Sequence, residues 1–233
     1  MPRHHTTRRH LGALALGVAA LLFMVFPLIR PFFPLDPTAP AATLTVASPV
    51  LTSAPWVVSH LLCTCAFVLL LYGMQTLHVC LMPSQAEGRA LRAMGVGVAG
   101  IALILPMLGV ETFMLPIIGK LYLEGHTAIA PAVRMIYLGP AMVVFLLGLV
   151  LLAVGAIGFA RAIWQSAVLP KWAGIVWATG LTLWFPPFPR PVRIVDGLLI
   201  GIGGAWLAWD LWRTAAACPV LQWSNNPMEL QGE

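Results

Sequence analysis

The chain has 233 residues, 60% of them hydrophobic and 9% charged, with a mean hydropathy of +0.90. A soluble domain carries about 25% charged residues, so most of this chain does not meet water and its composition places it in a bilayer. The formal net charge of +5 does not indicate nucleic acid, because the 13 Lys and Arg stand in short groups between apolar runs, with no basic patch interleaved with aromatics.

Residues 1–10 are basic and polar, and residues 11–29 follow as an uncharged run long enough to span. That run outlasts a typical signal-peptide core, and the A-x-A site at Ala39-Pro40-Ala41 lies far beyond it, so the segment is expected to be retained. Residues 30–55 read as an outer loop with Pro31, Pro34, Pro37 and Pro40 spaced by three. This period sets the prolines along one edge of a polyproline II helix and predicts a stiff extended arm over the bundle. Residues 56–80 are the second span, with His60, Thr64, Phe67, Leu71, Met74 and His78 near one helical face and Cys63 and Gln75 on its edges. Cys63, Cys65, Cys80 and Cys218 form no C-x-x-C and read as small buried hydrophobes.

The third span, 93–119, carries Glu111 as its only ionisable residue. A carboxylate in hydrocarbon costs about 2–3 kcal/mol or more on insertion scales, and usually faces a bundle interior. Gly97, Gly100, Ile104 and Glu111 share one face, and glycines on a membrane helix mark the close approach of a neighbour. Pro106 and Pro116 also free backbone carbonyls near Glu111, which a neighbouring side chain or a cavity must satisfy.

The fourth span is 135–160. A weak fifth, 172–188, is broken by the run from Pro186 to Pro191, and the sixth, 194–212, holds Gly197-x-x-x-Gly201 as a close-packing signal. Residues 213–233 form a polar tail. With six spans and the N-terminus inside, the inner flanks carry Arg3, Arg8, Arg9, Arg89, Arg92, Arg161, Lys171 and Arg213. The outer flanks carry fewer, Arg30, Lys120, Arg134, Arg190 and Arg193, which predicts both termini on the cytoplasmic side. Trp56, Trp164, Trp172, Trp184, Trp209 and Trp212 fall near span ends, as an aromatic belt does.

Counted along the helices, this topology brings His60, Glu111 and Asp196 into the outer leaflet, with Tyr137 and Arg134 at similar depth. These five are the candidate ligand-binding residues, and Glu111 with His60 is a candidate acid/base couple. No cofactor or metal is expected. Both intramembrane histidines, His60 and His78, lie on one helix, so haem ligation lacks its facing partners, and no span holds a lysine for a retinal. Walker, G-x-S-x-G and H-E-x-x-H patterns are absent.

Three phrases carry a resemblance: Pro55-Trp56-Val57-Val58-Ser59-His60-Leu61-Leu62, Glu111-Thr112-Phe113-Met114-Leu115-Pro116, and Leu169-Pro170-Lys171-Trp172-Ala173-Gly174. A histidine opening the second span, an acidic residue before an aromatic and Leu-Pro in the third, and L-P-x-W-x-G before the fifth resemble a group of uncharacterised bacterial integral membrane proteins. The resemblance implies a six-span architecture in a bacterial plasma membrane, and no reaction. The expectation is thus an all-α bundle of about six membrane helices that binds a small apolar or lipid-like ligand in an outer-leaflet pocket. A membrane-embedded enzyme using Glu111, and an accessory subunit or small transporter, are the alternatives. The expected partners are the bilayer, that ligand and a second copy of the chain.

Overall fold

The computed structural model describes residues 3–184 and 189–214. Every regular element among them is helical: α1 (Arg3–Ile29), α2 (Pro40–Leu51), α3 (Ala54–Leu81), α4 (Glu87–Gly109), α5 (Leu115–Leu123), α6 (Pro131–Tyr137), α7 (Pro140–Ser166), α8 (Lys171–Leu183) and α9 (Arg190–Thr214). A π-helical turn, Val110–Met114, joins α4 to α5, and a 3-10 turn, Thr127–Ile129, precedes α6. Five stretches are long and apolar enough to cross a membrane, namely Thr7–Ile29, Ala54–Leu81, Glu87–Leu123, Thr127–Ser166 and Arg190–Thr214. This is the architecture of a multi-pass membrane protein.

The long helices close a ring in the order α1, α3, α4, α7, α8, α9 and back to α1. Neighbours run antiparallel throughout. Phe26 of α1 meets His60 near the start of α3, while His10 meets Trp212 near the end of α9. Phe159 of α7 meets Trp177 of α8, and a Cβ on Gly203 of α9 would stand 2.4 Å from the Trp177 backbone nitrogen.

In lipid no hydrophobic force pushes helices together, so small residues that let backbones approach decide which faces pack. The expected face of Gly97, Gly100 and Ile104 does pack, against α7. A Cβ on Gly100 would lie 2.5 Å from the Leu152 nitrogen, and one on Gly155 would lie 2.8 Å from the Gly97 Cα. Gly197 and Gly201 likewise sit on α1, where an added Cβ would come to 2.9 Å from Phe23 O and from Met24 Cβ respectively. Gly100→Ala is expected to lower stability by about 1–3 kcal/mol through overpacking, because the clashing atoms are backbone. Gly95→Ala, where an added Cβ meets nothing within 4 Å, is expected to melt with the wild type. Thermal unfolding of both variants in detergent checks the pair.

Two expectations are corrected. The proline-rich segment is not an extended arm throughout, since residues 40–51 form α2. Pro40 sits in the first turn, where a missing N–H costs nothing, and the run Ala41-Ala42-Thr43-Leu44 then propagates the helix. Thr43 ties the preceding loop to it, its hydroxyl donating to Asp36 O at 2.8 Å and accepting from the Asp36 N–H at 3.1 Å. Within that loop the hydroxyl and N–H of Thr38 donate to the Asp36 carboxylate and hold its pKa below the ordinary value. α2 lies outside the ring, packed on α5 and reaching α6.

The weak segment 172–188 yields a helix of only 13 residues, about 20 Å long. It fills a ring position between α7 and α9 but is not among the five long stretches, and 185–188 lie outside the described residues. The second correction concerns the cysteines. Cys63 and Cys80 are buried, whereas Cys65 is exposed. Cys218 and the expected polar tail from 215 onward lie outside the described residues.

Candidate functional site

The site begins with a missing hydrogen. In the π-helical turn the Leu115 N–H reaches back five residues to Val110 O. The same pattern would give the Glu111 carbonyl the N–H of residue 116, but residue 116 is proline and has none. The orphaned carbonyl is taken by another helix: the Trp56 indole Nε1–H donates to Glu111 O at 2.8 Å. This fulfils the requirement that a neighbouring side chain satisfy a carbonyl freed near Glu111. It also pins α3 to the turn at the height of the carboxylate.

Trp56 in turn fixes His60. Their rings lie 4.2 Å apart at 38°, and His60 Nδ1 stands 2.7 Å from the Trp56 carbonyl oxygen one helical turn below. A carbonyl only accepts, so Nδ1 carries a proton there. The other nitrogen, Nε2, faces a donor and an acceptor, with Arg30 Nε at 3.5 Å and Glu111 Oε2 at 3.4 Å. Bare, Nε2 accepts from Arg30; protonated, it donates to Glu111. It cannot do both, so one proton on His60 decides which neighbour it binds.

The second carboxylate oxygen of Glu111 accepts from the Tyr137 hydroxyl at 3.3 Å. The His60 side chain is 0% exposed and that of Glu111 15%, so of the pair only Glu111 keeps any exposure. Arg30 is held in place by aromatic faces, its guanidinium lying 5.1 Å from the Phe32 ring centroid and 4.9 Å from that of Trp56.

Asp196 reaches this cluster by a longer route. Phe26 contacts both His60, at 5.8 Å between ring centroids, and Trp184, at 6.3 Å. The Arg193 guanidinium stacks on Trp184 at 4.6 Å and pairs with Asp196 at 3.6 Å between Nη1 and Oδ2. Cys63, three residues on from His60 in α3, is fully buried. Both ion pairs found among the described residues, His60–Glu111 and Arg193–Asp196, therefore stand at one end of the ring, with Arg30 beside the first.

No known protein family, curated protein or solved structure matches this chain.

Of the five candidate residues, His60, Glu111 and Tyr137 meet directly, and Asp196 joins through Arg193 and the aromatic bridge. Arg134 does not join: it is exposed on α6, while Tyr137 on the same short helix is buried. Sequence reasoning missed Arg30 and the structural role of Trp56. Arg30 follows the last residue of α1 and lies at the depth that had already singled out His60. No group of three or more His, Cys, Asp or Glu among the described residues could hold a metal ion. Trp56→Phe keeps an aromatic ring beside His60 but removes the indole N–H. It is expected to cost about 1–3 kcal/mol for the carbonyl left unpaired, with the Glu111 carboxylate intact. Chemical unfolding of the purified variant measures it.

Proposed function

We propose that the chain is a six-span protein of a bacterial plasma membrane, with both termini cytoplasmic. It binds a small apolar or lipid-like ligand at the outer-leaflet end of its helix ring, through Glu111. One observation carries this reading: Glu111, paired with a fully buried His60, keeps 15% of its side chain exposed, on a stretch whose Phe113, Met114 and Ile117 are exposed. An apolar ligand with a hydroxyl or amine head finds an acceptor there, and apolar surface beside it. The six-span part is supported by the place of α8 in the ring and by the alternating direction of its neighbours. A cysteine introduced by His5→Cys and the native Cys218, in a chain otherwise freed of cysteine, are expected to label from the same side of the membrane. Labelling from opposite sides would make α8 re-entrant and leave five spans.

Native mass spectrometry of protein released gently from its membrane tests the ligand. A defined added mass is expected on the wild type and on Trp56→Phe, and is expected to be missing from Glu111→Gln. A bare wild type, or retention by Glu111→Gln, overturns the binding role of the carboxylate. A second reading, catalysis with Glu111 as acid or base, is favoured by the 3.4 Å between His60 Nε2 and Glu111 Oε2, a separation at which the two can share a proton. It requires that Glu111→Gln hold a ligand whose mass differs from that on the wild type.

A further inference from the structure

The far end of the ring carries a second feature that the Glu111 site does not use. Between α7 and α8 runs an open groove of about 390 Å³, lined on one side by Ile157, Ala160, Arg161 and Trp164. From α8 it receives Thr179 and Thr182, both exposed. Their hydroxyls are satisfied within the helix, Thr179 donating to Ile175 O at 2.9 Å and Thr182 to Ala178 O at 2.8 Å. With its hydroxyls engaged the groove floor asks for no polar partner, and its requirement is apolar.

The mouth is different. Arg161 and Trp164 lie three residues apart on one face of α7, and Lys171 Nζ stands 5.3 Å from the Trp164 ring centroid. Trp172 packs edge-on against Trp164 at 5.9 Å, so two tryptophans mark this level as a membrane interface. Arg161 and Lys171 are both exposed, and among the described residues neither pairs with a carboxylate. Two cations at an aromatic-marked interface, above an apolar slot open to the bilayer, complement one kind of molecule: an anionic head joined to a hydrocarbon tail.

We propose that the α7–α8 groove binds an anionic phospholipid, one acyl chain lying along Thr179 and Thr182 and the phosphate held by Arg161 and Lys171. The arrangement gives a role to two cations that have no carboxylate partner among the described residues. It does not depend on what Glu111 does.

The test is a lipid titration of the full-length, delipidated protein, with bound lipids counted by native mass spectrometry. Phosphatidylglycerol is expected to load at least tenfold more tightly than phosphatidylcholine of the same chains, in the wild type and in Glu111→Gln alike. Arg161→Ala with Lys171→Ala is expected to abolish that preference, and Arg161→Lys with Lys171→Arg to keep it. Thr179→Trp leaves both charges but fills the slot at an exposed position, and is expected to lose the tight lipid as well. Soluble glycerol phosphate is expected not to compete. Preference surviving the double alanine variant overturns the proposal. So does tight loading by Thr179→Trp, which would reduce the effect to surface charge, or full competition by glycerol phosphate, which would make it a site for free anions.

Discussion

Asp196→Ala is expected to destabilise the protein by about 3–5 kcal/mol, the cost of leaving a buried charge without its partner. The Arg193 side chain is 7% exposed and its partner's 2%, so neither charge can turn to water without moving α9. Arg193 keeps its place over Trp184, and that contact does not replace a carboxylate. Replacing both members, Arg193→Met with Asp196→Leu, is expected to recover most of the loss, because an apolar pair needs no desolvation. Unfolding midpoints of the three proteins in one detergent measure this directly. If Asp196→Ala unfolds within about 0.5 kcal/mol of the wild type, as an ordinary surface substitution does, the pair is hydrated and its burial carries no energetic weight.

Glu111→Gln is the second large effect, and its size differs between two readouts. The amide can still accept from Tyr137 and donate to a bare His60 Nε2, so folding is expected to survive with a loss of about 1.5–3 kcal/mol for charge-assisted hydrogen bonds. Ligand retention, by contrast, is expected to fall more than tenfold, because the proposed receptor group has lost its charge. Trp56→Phe inverts the pattern, with a similar loss of stability and no loss of ligand. If both variants melt early and both keep the ligand, the network serves packing, and the carboxylate is not the receptor.

Depth was legible in the sequence, and azimuth only where glycines marked a packed face. Counting about 1.5 Å per helical residue put His60, Glu111, Tyr137, Asp196 and Arg134 at one level, and the first four do lie in or beside the cluster. Arg134 fails because a level does not say which way a side chain faces, and α6 turns it outward. Arg30 was assigned to the loop after α1, although it stands at the same level. Pro116 announced a free carbonyl near Glu111, but that Trp56 would take it depended on which helix packs across the turn. The helix at residues 40–51 was hidden by the threefold proline spacing. That spacing carried less weight than the placement of Pro40, where a helix can begin.

The brevity of α8 has a consequence for the surroundings of the protein. A hydrocarbon layer is about 30 Å thick, and α8 offers about 20 Å of helix. As a span it covers only two thirds of that depth. Lipid beside it must thin, or headgroups and water must dip towards Trp184, the residue on which Arg193 rests. If α8 spans as proposed, the protein carries a built-in dimple in its bilayer, on the face that holds the α7–α8 groove and at the side of the ring where the Arg193–Asp196 pair lies. Its stability is expected to rise in bilayers of shorter-chain lipids and to fall in thicker ones.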